Sequence, residues 1–180
     1  MTYLKSLPDA AVLLQVFKTF PATSRPLLAY HEALLRGPSP LSVAERELIA
    51  GFVSGLNACH YCHGVHAATA REFGISGDLI ERLLSDLDHA PVNEKLRPLL
   101  GYVRKLTLSP ARVTRADADA VFAAGWSDQA LHDAVSVCAL FNLMNRLVEG
   151  LGIRAGEDYF GAASKRLHDG GYAGLLKLLE

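Results

Sequence analysis

The stretch Cys59-His60-Tyr61-Cys62-His63-Gly64-Val65-His66 concentrates the chemistry of this chain, holding two of its three cysteines and three of its seven histidines. It follows Gly55-Leu56-Asn57 and runs on through Ala67-Ala68-Thr69-Ala70-Arg71-Glu72-Phe73 to Gly74. The whole reads as one helix, with Asn57 as its N-cap and Gly74 just past its end. Cys59 then falls in the first turn. Residues three and four apart share a helix face, so Cys59, Cys62, His63 and His66 form one stripe. Each thiol has an imidazole one turn along: His63 for Cys59 and His66 for Cys62.

Working outward, helical spacing dominates and no stretch sustains the alternation of a strand, which predicts an all-α fold. Pro8 to Phe20 carries Val12, Leu13, Val16, Phe17 and Phe20 on one face and stops at Pro21. Ser24 is the expected N-cap of a second helix, with Pro26 in its first turn and a stop at Gly37-Pro38-Ser39-Pro40. Ser42-Val43-Ala44-Glu45 matches a capping box and opens a third helix, whose core stripe is Leu48, Ile49, Phe52, Val53 and Leu56. Glu47 lies beside that stripe, in line with Gly51 and Ser54, where small residues let another helix approach. A carboxylate covered in that way needs a partner; position alone favours a solvated surface residue.

Beyond the Cys/His helix, the sequence predicts a short helix from Ser76 or Gly77 to Asp88 and another from Asn93 to Leu108. Thr114 caps a further one to Ala124, and Ser127 caps the longest apolar helix, through Cys138 and Met144 to Gly150 or Gly152. The segment 157–168 and a short terminal helix complete the chain, with Leu175, Leu176, Leu178 and Leu179 expected to dock on the core or on a second copy. A Gly-Ile pair ends both the Cys/His helix and the longest one, at Gly74-Ile75 and Gly152-Ile153, hinting at a weak internal helix-pair repeat in which only the first copy carries C-x-x-C.

At 180 residues, half of them hydrophobic, the chain suits one well-packed domain, 1–180. Within it we distinguish N-terminal helices over 1–40, a catalytic helix pair over 41–75 and tail helices over 157–180. Eighteen basic against nineteen acidic residues leave no electrostatic footprint for nucleic acid or an anionic membrane. The N-terminus lacks signal-peptide patterning, no apolar run approaches the roughly 20 residues of a membrane span, and the odd cysteine count suits a reducing cytoplasm.

Three chemistries compete for the Cys/His stripe. Zinc wants four ligands around it, and four side chains on one helix face do not surround an ion. Plain packing suits Cys138, alone in an apolar helix, better than two cysteines at a helix start. A redox dithiol fits C-x-x-C there, because a disulfide spans one turn while the helix dipole and nearby bases favour thiolate.

Glutamate, twelve residues, C-x-x-C, three residues and histidine, in an all-α chain, resembles the AhpD-like alkylhydroperoxidases of the carboxymuconolactone decarboxylase superfamily, in particular the peroxidase-related subgroup. The resemblance extends through residues 41–50 and 141–152, and covers the chain from about Pro21 onward. It implies a thiol peroxidase without metal, flavin or haem, acting on an organic or hydrogen peroxide and regenerated by a dithiol or protein reductant. It implies a homo-oligomer, a trimer or hexamer. Carried over, Cys62 attacks the peroxide, Cys59 resolves it, and His66 and Glu47 relay protons. The helix N-terminus, however, favours thiolate at Cys59, so burial of Cys62 would reverse the roles. Tyr61 stands where the best-known AhpD pattern has a histidine, and a tyrosine is a poor base near neutral pH. His60 and His63 are either its substitutes or surface residues; His31, His89, His132 and His168 receive no role. Asn142, Asn145 and Arg146 belong to the resemblance but not to the dithiol motif. The other readings are a redox-responsive binding or assembly protein and, from the same superfamily, a lactone decarboxylase.

Overall fold

Ser42 opens the helix that organises the fold: its hydroxyl accepts the Glu45 amide while the Glu45 carboxylate accepts the Ser42 amide, closing the expected capping box. The computed structural model describes residues 2–180. Among them the helices are α1 (Leu13–Thr19), α2 (Pro21–Arg36), α3 (Val43–Leu56), α4 (His60–Glu72), α5 (Leu79–Ser85), α6 (Leu96–Leu108), α7 (Arg115–Ala123), α8 (Asp128–Gly150) and α9 (Glu157–Lys177). A short 3-10 turn spans Pro110–Arg112, and no strand occurs among the described residues. One continuous core joins the helices, with Phe52 of α3, Phe141 of α8 and Phe160 of α9 among its fully buried side chains.

Several boundaries differ from the sequence reading: α1 begins at Leu13 rather than Pro8, α5 spans only Leu79–Ser85, α6 begins at Leu96 rather than Asn93, and the starts of α2 and α4 move for local reasons. The first helix does end before Pro21, at Thr19, but the second starts at once rather than at Ser24: Pro21 sits at the first position of α2, where a missing N–H costs nothing, and Ser24 and Pro26 lie inside the helix. Likewise Asn57 is the C-cap of α3, and the N-cap of α4 is Cys59 itself. Ala58, at φ 53°, reverses the chain between them, so two helices meet across three residues. That tight corner lays α4 back along α3.

The Gly-Ile pairs have a common physical role. Gly74, at φ 91°, and Gly152, at φ 66°, adopt the left-handed conformation that ends a helix. Ile75 N–H then donates to Ala70 C=O and Ile153 N–H to Val148 C=O, both at 3.0 Å, the long bond of a Schellman motif.

The tail forms two helical segments, as the sequence predicts, joined end to end within α9 across a non-helical residue. That residue is Gly171, at φ 58°, and the Glu32 carboxylate of α2 accepts the freed amides of Tyr172 and Ala173 at 2.7 and 2.9 Å. Leu175 and Leu176 pack against the core and Leu179 is buried, whereas Leu178 is exposed.

Close approach of α9 to α4 rests on Gly64. A Cβ there would stand 2.3 Å from the Phe160 ring, a rigid and fully buried neighbour. Helix propensity favours Gly64→Ala by about 1 kcal/mol, but overpacking of about 1–3 kcal/mol opposes it. We expect Gly64→Ala to lower the thermal midpoint. Gly161→Ala, on the same α9 with open space around it, should raise it. Equal stabilisation by both would refute the α4–α9 contact described here.

Candidate active site

Glu47 is the most unusual residue of the core: an acidic side chain with no exposed surface. Its Oε2 lies 2.7 Å from His66 Nδ1 on α4, and its Oε1 lies 2.7 Å from Arg36 Nη1 on α2. The solvated reading of Glu47 is thereby excluded. Burial pushes its carboxyl pKa up, but His66 and Arg36 together outweigh burial and hold it below the usual range. The carboxylate therefore fixes the His66 tautomer with Nδ1–H donating, which leaves Nε2 as a lone-pair acceptor. Arg36 also donates to the carbonyls of Leu35 and Leu167, both at 3.1 Å, and stacks on Phe73 and Tyr172. Sequence reasoning missed Arg36, because its neighbour across the fold is not its neighbour in the chain.

The dithiol is buried and reduced: Cys59 and Cys62 are both free thiols with almost no exposed surface. Hydrogen bonding between them splits their acidities. Cys62 side-chain and backbone donors hold the Cys59 pKa below its ordinary value, against burial and the Glu149 carboxylate. Hydrogen bonding to Cys59, together with burial, drives Cys62 well above its ordinary value. The first negative charge of the pair therefore sits on Cys59, where the start of α4 also favours it.

Access runs the other way. A cavity of about 630 Å³, counting the space at its mouth, is lined by Cys62 and His66 but not by Cys59. Phe17, Phe141, Tyr61, Tyr159, Tyr172 and His31 contribute its other ring walls. The expected pairing of His63 with Cys59 does not form: His63 Nδ1 is 3.0 Å from the Gly51 carbonyl, and its Nε2 is 3.8 Å from Glu81. His60 is exposed, edge-on to Phe160. Tyr61 serves as a strut: its hydroxyl accepts the Leu13 amide at 3.3 Å and donates to the Tyr159 hydroxyl at 2.7 Å. Burial raises its pKa, so it is no base.

His31, given no role on sequence, is buried and lines the cavity. Its Nδ1 is 2.8 Å from the Leu27 carbonyl, and desolvation lowers its pKa to about 4, so it is a neutral imidazole near pH 7. The other three unassigned histidines pair locally with Asp86, Asp133 and Asp169. Asn142 and Asn145 anchor the corner under the dithiol: Asn57 Nδ2 donates to both their side-chain oxygens, and Asn145 Nδ2 donates to Ser54 Oγ at 3.0 Å. Among the described residues, no group of three or more His, Cys, Asp and Glu side chains is arranged to hold a metal ion. No helix among the described residues is long and apolar enough to cross a membrane.

The sequence model of the carboxymuconolactone decarboxylase family matches residues 21–89, which span α2 to α5 and contain Glu47, both dithiol cysteines and His66. The structure is similar to that of an uncharacterized peroxidase-related protein from Silicibacter sp. TM1040, with a TM-score of 0.76 and 29% identity over 83% of this chain and 78% of that one. A second such protein, from Ralstonia eutropha JMP134 and described as an alkylhydroperoxidase AhpD core, gives 0.74 and 27% over 81% and 76%. A protein of unknown function from Agrobacterium tumefaciens shares the fold, with a TM-score of 0.69 at 21% identity over 87% and 99%. No curated protein matches the sequence.

Two measurements check the electrostatics. Arg36→Met leaves the buried Glu47 carboxylate with one partner, and we expect a loss of about 3 kcal/mol in chemical denaturation at pH 7; a loss indistinguishable from zero would exclude the ion pair. For His31, the unfolded chain takes up a proton near pH 6.5 that the folded protein refuses until about pH 4. Its contribution is thus complete above pH 6.5 and fades as the pH falls towards 4, by up to about 3 kcal/mol. His31→Leu should flatten the stability profile across that window.

Proposed function

We propose that this chain, which belongs to the AhpD-like carboxymuconolactone decarboxylase superfamily, is a dithiol peroxidase that reduces organic hydroperoxides or hydrogen peroxide. The observation that carries the reading is the cavity lined by both Cys62 and a His66 whose other nitrogen is held by the buried Glu47 carboxylate. A packing cysteine needs no such oriented base, and a structural dithiol needs no opening.

In this mechanism the reduced pair gives up one proton to His66 Nε2, and Glu47 stabilises the resulting imidazolium. The remaining proton is shared between the sulfurs. Cys59 holds the charge at rest, and passage of the Cys62 proton to Cys59 puts the thiolate on the sulfur that faces the cavity. Cys62 then attacks the terminal peroxide oxygen: the S–O bond forms, the O–O bond breaks, and sulfur is oxidised to a sulfenic acid. The departing alkoxide takes the proton back from His66 and leaves as the alcohol. Cys59 thiol next attacks the sulfenic sulfur, forming the Cys59–Cys62 disulfide and releasing water. An external dithiol, small or on a partner protein, reduces that disulfide by exchange. The acidity order and the opening thus assign the cysteines different tasks, with Cys59 as charge store and resolver.

We place the reaction in the cytoplasm, where dithiol reductants keep such a pair reduced. A homo-oligomer fits the same family reading, and exposed apolar side chains such as Leu108 and Leu143 offer surface for it.

Thiol titration tests the cycle. Reduced, denatured protein carries three thiols, and one equivalent of cumene hydroperoxide should leave one, on Cys138, with a mapped Cys59–Cys62 disulfide. Cys62→Ser should abolish peroxide consumption, and Cys59→Ser should stop at a sulfenic acid trapped by dimedone. Three thiols remaining with the peroxide intact would overturn the reading.

A further inference from the structure

The cavity over Cys62 has a polarity that chemistry at sulfur alone does not require. Leu13, Leu14, Phe17, Leu28 and Leu175 make its walls largely apolar. Among the described residues no acidic side chain lines it, and Arg166 of α9 is its one permanently charged side chain. Arg166 is exposed, which puts it at the opening, and it makes no ion pair among the described residues. Its guanidinium carbon stands 5.8 Å over the Tyr159 ring, which steadies the cation beside the cavity.

The interior carries a second, independent signal. Tyr172 is only 4% exposed, lines the cavity, and has a hydroxyl with no hydrogen-bond partner. Its ring is pinned between His31, 4.9 Å away, and the Arg36 guanidinium, 5.3 Å away, on the turn that Gly171 and Glu32 create. A buried hydroxyl left unpaired is costly, and an oxygen of a bound molecule would satisfy it. The Nε2 of His31 also has no partner among the described residues, its Nδ1 being engaged by Leu27.

An occupant that satisfies all of this has an oxygen-bearing end beside Tyr172 and Cys62, an apolar body along the leucines, and an anion at the mouth. Resting on the peroxidase reading, we infer that the cavity takes an amphipathic hydroperoxide bearing a carboxylate, of the kind formed when a free fatty acid is oxidised. Arg166 binds the carboxylate through its planar fork of donors, and Tyr172 donates to the peroxide group. The bond changes at Cys62 are those already described. Neutral hydroperoxides use the same apolar wall and lack the Arg166 contact.

The test pairs binding with turnover. Decanoate and decan-1-ol are titrated into the reduced protein by calorimetry, and linoleic acid hydroperoxide is compared with its methyl ester in peroxide consumption. We expect decanoate to bind roughly tenfold more tightly than decanol, and the acid to exceed the ester roughly tenfold in kcat/KM, carried by KM. Arg166→Met should bring both ratios to about one, and Arg166→Glu should invert them. Tyr172→Phe should raise KM for acid and ester alike and leave their ratio in place. Equal handling of acid and ester by a protein that consumes cumene hydroperoxide would overturn the anionic assignment and leave the peroxidase reading standing. Failure to consume any hydroperoxide, with a decanoate preference that Arg166→Met removes, would overturn the peroxidase reading and support the amphiphile site.

Discussion

A buried carboxylate held by a histidine and an arginine is the constraint on which the rest of this structure depends. Glu47, His66 and Arg36 come from α3, α4 and α2, so the charge can be hidden only when three helices are in register. Removing a carboxylate from water costs several kcal/mol, and only an ion pair with good geometry offsets it. The same requirement orients the imidazole. In the proposed mechanism, the group that stabilises the fold as a counter-charge also prepares His66 Nε2 to receive a proton, so stability and chemistry draw on one contact.

Around that centre the chain brings its elements unusually close. Ala58 in the left-handed region lets α4 follow α3 almost without a loop, and Gly64 lets Phe160 sit against the α4 backbone. Close packing on those two sides leaves the space over Cys62 as the opening. The kink at Gly171 then turns α9 so that Tyr172 forms part of that opening's lining, with Glu32 of α2 accepting the exposed amides. Helix termini, rather than loops, thus build the site: the start of α4 carries the dithiol, and the internal break of α9 carries the tyrosine.

In the proposed mechanism, the division of labour between the two sulfurs follows from opposed gradients. Charge is most favourable on Cys59, at the helix start and among donors, while access exists only at Cys62. A dithiol in which the accessible sulfur is the less acidic one keeps its resting charge away from solvent and from adventitious oxidants. It becomes nucleophilic at the cavity only when a proton moves by one side chain.

Much of this was legible in the chain. The helical period, the capping box at Ser42 and Glu45 and the glycines at 74 and 152 are local signals, each set by residues within about one turn, and each appears where its chemistry demands. Cys59, Cys62 and His66 were also marked out, because they share one helix face, whereas Glu47 was singled out only by the family resemblance, its position alone favouring a solvated residue. Two helix starts, at Pro21 and Cys59, went otherwise, since a proline or a thiol at a helix boundary can be stop or start according to what packs beyond it. Arg36, His31, Tyr172 and Arg166 were silent in sequence: their partners lie on other helices, and burial, not residue type, decides what each does. Local periodicity and capping determined which segments are helices and which side chains share a face with the two cysteines. Only the tertiary packing decided which sulfur faces the opening and which holds the charge, because desolvation and counter-charge act through space and leave no trace along the chain.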